Sequence, residues 1–234
     1  MTRTPDGFAT SGPSLPSDIE LTTAGLPLAW TVEPNAAERG RILLIACGAL
    51  AREVLALRAQ PSLSHLHLTC LPANLHNHPE RIPAAVRTAV EQHRGTYAHI
   101  KLLYADCGTG GQLATLCEEL GIEMLPGPHC YAFFDGTERF AARAEMTSFY
   151  LTDFLVRQFD AFVWRPLGLD RHPELRDAYF GNYRNLVHLA QIDDPDTAQL
   201  AKRHAERLGL DFERRVTGYG DLGTAMQGWA RSDR

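Results

Sequence analysis

An α/β fold, with a doubly wound and mainly parallel sheet and helices on both faces, is what this sequence of 234 residues predicts. Three observations predict it. Short unbroken apolar runs recur, as strands of a buried parallel sheet require. Stretches with apolar residues at helical spacing follow them. Strands and helices read in this way alternate along the chain, which is the order of βα units.

Residues 1–20, rich in Ser, Thr, Pro and Gly, and the weakly patterned lead-in 21–39 make 1–40 a disordered or poorly structured tail. The run 41–46, RILLIA, reads as a buried strand, and Cys47-Gly48 leads into a helix over 49–57. HLHLTCL at 65–71 alternates as a second strand, and a Pro-bounded loop leads into a helix over 82–93 with Pro83 in its first turn. A strand over 98–104 runs into a glycine turn, a helix over 112–121 stops at Gly121, and a short strand at 121–125 closes the unit. The stretch 146–159 reads as one helix, capped by Thr147 or Ser148, with Phe149, Leu151, Phe154, Leu155 and Phe159 in the core. After a short apolar segment at 161–164, residues 172–186 are helical or turn-rich. A strand at 186–191, a helix over 196–208 stopped by Gly209, and a last strand at 212–216 follow. The expectation is one α/β domain over 41–222 with a frayed end at 223–234.

The formal net charge of -5, from 23 basic and 28 acidic residues, comes without a basic block, which argues against a nucleic-acid partner. No apolar run nears the roughly 20 residues of a membrane helix. The N-terminus lacks the apolar core of a signal peptide. A cytoplasmic protein with its five cysteines reduced is expected.

YADCGTGG at 104–111 places Cys107 at a strand-to-helix turn. Glycines there allow close backbone approach, and a helix N-terminus stabilises a thiolate. Gly108, Thr109, Gly110 and Gly111 offer N–H groups to an anion. Cys47 and Cys130 share the context of an apolar run with glycine close by. In a doubly wound fold, all three can meet beyond the strand ends. Three thiolates there suit zinc or an iron–sulfur cluster with one open iron, with His129 as a fourth ligand or a supporting donor. The alternatives are isolated reactive thiols or cysteines packed as small hydrophobes, since no CxxC spacing is present. Cys117 and Cys70 read as core. His76 and Asn77 lie in the loop LPANLHNHPE, as ligand contacts or as turn formers. Asp170, Arg171, His172, Glu174, Asn182 and Tyr183 suit a carboxylate or phosphate, or else form a salt-bridged surface. Tyr219, in VTGYGDL, lines a site or a turn. Asp106 and Glu53 are the candidates for proton handling.

Taken together, ACGAL (46–50), LPANLHNHPERI (71–82), LLYADCGTGG (102–111), GPHCY (127–131), FYLTDFL (149–155), LGLDRHPELRDAYFGNY (167–183) and TGYGDL (217–222) resemble the bacterial and archaeal family catalogued as domain of unknown function 1638. The resemblance spans 41–222. Relatives in this family are often encoded beside corrinoid-dependent methyltransferases and their corrinoid proteins. The resemblance therefore implies a role in one-carbon or methylamine metabolism, with a corrinoid or methyltransferase protein as partner.

Three functions follow as expectations. The first is a metalloprotein or metalloenzyme with a three-cysteine site acting on a small anionic molecule. The second is metal-free acid–base chemistry by two thiols across a cleft, as in racemases of α/β type. The third is an accessory binding protein without chemistry of its own.

Overall fold

The computed structural model describes residues 15–31 and 42–232. In chain order the first part consists of α1 (Asp18–Thr23), β1 (Ile42–Cys47), α2 (Ala51–Arg58), β2 (His67–Leu71), α3 (Ile82–His93), β3 (His99–Leu103), α4 (Gln112–Leu120), β4 (Glu123–Met124), α5 (Ala132–Asp135) and α6 (Thr137–Arg143). The second consists of β5 (Ser148–Thr152), α7 (Asp153–Arg157), α8 (Arg176–Phe180), β6 (Asn185–Ala190), α9 (Pro195–Leu208), β7 (Asp211–Val216) and α10 (Gly220–Ser232).

The α/β class is as the sequence predicts, but the strands form two sheets rather than one. Four strands pair in the order β2-β1-β3-β4 and three in the order β5-β6-β7, all parallel. The break falls where β4, only two residues long, offers little edge for a further strand. β1 is buried along its whole length because it pairs on both edges and packs on both faces. β6 holds the same central place in the second sheet.

The stretch 146–159 is corrected from one helix to a strand followed by a helix. Phe149 and Leu151 face one apolar cluster while Tyr150 faces another, the two-residue alternation of a strand. Thr152, not Thr147 or Ser148, caps the helix, its side chain accepting from the Leu155 N–H.

The N-terminal expectation is corrected over 15–31. Ser17 and Glu20 form a reciprocal capping box on α1, and Leu21 and Leu26 are buried. Leu26 bridges to Cys70 on β2. Residues 1–14 and 32–41 of the expected tail lie outside the described residues, as do 233–234. The C-terminal expectation changes too. Residues 220–232 form a helix, not a frayed end, with Leu222, Met226 and Trp229 on one buried face. These residues share a core with β1, β3 and Phe154 of α7, so one apolar cluster joins both parts. Among the described residues, no helix is long and apolar enough to cross a membrane.

Candidate functional site

Because β2, β1, β3 and β4 run parallel, the loops leaving their C-terminal ends share one rim. These loops supply most of a cavity of about 50 Å³. β1 ends in Cys47. The loop after β2 brings Ala73 and His76, the loop after β3 brings Tyr104 and Cys107, and the loop after β4 brings His129, Cys130 and Tyr131. Leu50, Ile82 and Phe134 add apolar wall, and Thr152, Leu155 and Phe162 reach in from the second part. The three cysteines expected to meet do line one cavity, with His129 and His76 beside them.

Cys107 and Cys130 touch, their Sγ atoms 3.3 Å apart. Backbone bonds between their loops hold them there: Asp106 N–H donates to the Gly127 carbonyl and Cys107 N–H to that of Pro128, both at 3.0 Å. Cys107 sits at φ 47°, in the left-handed region. For a residue with a Cβ this costs about 1–3 kcal/mol and persists where surroundings over-determine it. The hydrogen bond from the Cys130 thiol pulls the Cys107 thiol down to about 5, against burial, and His76 adds to the effect. The same contact first, and burial second, push Cys130 well above the ordinary thiol range. Burial pushes Cys47 up to about 12. Of the three sulfurs, the contact thus favours charge on Cys107 and disfavours it on Cys130, and burial disfavours it on Cys47.

Tyr104 is only 1 % exposed, and its hydroxyl has no well-formed hydrogen bond. Burial first, then the Cys47 and Cys130 sulfurs, raise it well above the ordinary phenol range. It stands in the cavity wall as a neutral donor whose one acceptor is the weak one offered by the Cys47 sulfur. At the mouth, His129 stacks on Tyr131 with ring centroids 4.9 Å apart, and Tyr131 on Tyr150 at 5.5 Å.

Other expected site residues have different work. The Asp106 carboxylate accepts from the Thr109 hydroxyl and the Gly111 N–H at 2.7 Å each and from the Gly110 N–H at 3.2 Å. The acid and the turn satisfy each other, so Asp106 is not poised for proton transfer. Gly108, Thr109, Gly110 and Gly111 form that acid's cradle rather than an anion's. Glu53 lies on α2, outside the cavity lining. It is buried, Oε2 has no partner among the described residues, and burial raises its carboxyl to about 7 beside Arg157, Asp153 and Arg52. Tyr219, half-buried, neighbours Glu53 and Asp153 and not the cysteines. Asn77 points to solvent. Asp170, Arg171, His172, Glu174 and Asn182 are exposed, with Arg171 near Asp170 at 3.9 Å and His172 near Glu174 at 3.2 Å. That is the salt-bridged surface, not an anion site. Tyr183 packs on Phe149 and Phe180. Cys70 and Cys117 are buried, as expected of core.

Sequence reasoning passed over Tyr104 and Phe162 as lining residues, and a buried pair on β6 and α7. His188 Nε2 meets Asp153 Oδ1 at 2.8 Å with both side chains buried. The register that puts Thr152 beside Leu189 also sets Asp153 over the end of β6, but the helical reading of 146–159 hid it.

Among the described residues, no group of three or more His, Cys, Asp or Glu stands close enough to hold a metal ion as placed. No curated protein and no solved structure matches the chain. A family model described as "Protein of unknown function (DUF1638)" matches residues 70–226. It takes in Cys107, Cys130, His76 and His129, and begins after Cys47 and Glu53. With more than half its length matched, the chain belongs to the DUF1638 family.

Proposed function

We propose that the rim cavity is a thiolate metal centre, in which Cys47, Cys107 and Cys130 hold zinc or an iron–sulfur cluster with His129 or His76 beside them. The observation that carries this reading is the meeting of three cysteines and two histidines from four strand-end loops on one small cavity. The donor set is soft, as both metals require. Thiolates on a tetrahedral zinc lie roughly 3.8 Å apart, given Zn–S bonds of about 2.3 Å. The Cys107–Cys130 contact of 3.3 Å would open by about half an ångström to accept that geometry.

Bound metal supplies Lewis acidity, or electron transfer where it is a cluster. The chain's own residues do the rest. Leu50, Ile82, Phe134, Leu155 and Phe162 keep the cavity apolar and strengthen every electrostatic interaction within it. Tyr104 offers its hydroxyl to a small bound molecule. A volume of about 50 Å³ admits only a few heavy atoms. No Arg or Lys is among the lining residues, so the substrate is small and need not be anionic. The methyl-transfer setting that the family resemblance implies, in a reducing cytoplasm, is one such centre's use: activation of a thiol or water.

Two-thiol acid–base chemistry has less support. Cys107 and Cys130 leave no space for a substrate carbon between them, and Cys47 lies on the same rim. The residues that the second part contributes, Thr152, Leu155 and Phe162, include no acid or base.

The test is metal and sulfide content with a visible spectrum, on protein purified without oxygen and after reconstitution. Wild type and the Cys117→Ser control should hold stoichiometric metal, and Cys107→Ser and Cys47→Ser should lose it. Absorption near about 400 nm would mark thiolate-bound iron, and a colourless site would mark zinc. A wild type that takes up neither metal would end this reading.

A further inference from the structure

Cys107 and Cys130 are closer than two ligands need to be, and their closeness has its own consequence. Sulfur atoms at 3.3 Å need to approach by little more than an ångström to reach the roughly 2.05 Å of a disulfide. The Cys107–Pro128 backbone bond keeps the two loops side by side, so closure asks for side-chain rotation rather than a search by the chain. Cys107 already occupies a strained left-handed position that aims it at its neighbour. Cys130 is half-buried and both cysteines line the rim cavity, which gives a small reagent its path to the pair.

We infer that Cys107 and Cys130 form a redox-active dithiol, which a small-molecule disulfide converts to an intramolecular disulfide and a small thiol restores. In the first step one sulfur of the pair, deprotonated, attacks a sulfur of the small disulfide. A mixed disulfide forms and one small thiolate leaves. The second sulfur of the pair, giving up its proton, then attacks the first and expels the other small thiolate. The two cysteines lose two electrons, the small disulfide gains them, and the two protons end on the two small thiols released. This inference goes beyond the metal reading and does not depend on it. Where metal does bind, the two functions exclude each other, because the oxidised pair has no thiolate to offer.

The experiment uses the full chain, reduced and stripped with a chelator, equilibrated without oxygen across a series of reduced and oxidised glutathione. Acid quenching, alkylation and peptide mass mapping then count and locate the free thiols. Two of the five thiols should vanish together, as one cross-link joining Cys107 to Cys130, and return with excess reduced glutathione. Cys47→Ser should keep the cross-link. Cys130→Ser should stop at a glutathione adduct. Five alkylatable thiols across the series, a lasting wild-type glutathione adduct, or a cross-link between other cysteines would each overturn the inference. Since the protein is metal-free throughout, failure here leaves the metal reading standing, and failure of metal uptake leaves this result standing.

Discussion

At the ends of β5 and β6, the Asp153 carboxylate takes His188 on one oxygen and the N–H groups of Gln191 and Ile192, at 3.0 and 3.1 Å, on the other. Gln191 returns a bond from Asp153 N–H to its own Oε1 at 2.9 Å. At the ends of β1, β3 and β4, by contrast, the Tyr104 hydroxyl has only the Cys47 sulfur to bond to, and three cysteine side chains stand among apolar walls. Both sets lie at carboxyl ends of parallel strands, and both are buried. Matched groups such as Asp153 fix the fold. Among the described residues each rim keeps an unmatched atom as well, His188 Nδ1 on the second and Tyr104 Oη on the first, and such atoms call for a reason beyond the fold.

The largest effect that would sharpen this contrast is Asp153→Ala. Three donors lose their acceptor at once, and urea unfolding should show a loss of roughly 3–5 kcal/mol. A loss below about 1 kcal/mol would mean that the second rim is no better matched than the first.

Glu53, on the boundary between the rims, comes next. Its folded carboxyl is raised from 4.5 to about 7 by burial, with Arg157, Asp153 and Arg52 the charged groups facing it. Between those values the folded state holds a proton that the unfolded state has released. Stability from this group is therefore full below the unfolded value and is lost as pH rises to the folded one. Glu53→Gln should match wild type near pH 4.5 and exceed it by about 3 kcal/mol at about pH 8. Equal stability at both pH values would place Glu53 among the matched groups.

Tyr104→Phe has the smallest expected effect. Removing a hydroxyl whose one bond is a weak one to the Cys47 sulfur should change stability by less than about 0.5 kcal/mol, or raise it. A loss above about 1.5 kcal/mol in the same unfolding measurement would break the comparison, since it would show that the hydroxyl has a firmer partner.

The first sheet was readable because β1 and β3 carry apolar runs followed by glycine turns and β2 alternates, and parallel strands place such turns on one rim. That logic allows Cys47, Cys107 and Cys130 to meet on one rim, with cysteines packed as small hydrophobes as the alternative. It failed where two elements abut without a turn. Phe149, Leu151, Phe154 and Leu155 fit a helical stripe, although the first two belong to a strand and the last two to a helix. Elsewhere a signal was present and went unweighed. Ser17 and Glu20 have capping-box spacing, and Leu222, Met226 and Trp229 recur at helical spacing across two glycines. Asp106 illustrates a different limit. An aspartate before a threonine and glycines serves a turn as readily as a reaction, and only the hydrogen bonds decide.

Asp18 is one short side chain with a double hold. Oδ1 takes Arg52 of α2 at 2.7 Å and Oδ2 takes Arg157 of α7 at 2.6 Å. α2 follows the turn after Cys47, and α7 follows Thr152, so each arginine sits on a helix that starts near a cavity-lining residue. In mechanical terms α1 is a tie-rod across a joint. Among the described residues the two sheets share no strand pairing, so this double ion pair links them by side chains beside the apolar cluster that both share. One short carboxylate near the start of the chain thus fastens the helix that follows β1 to the helix that follows β5.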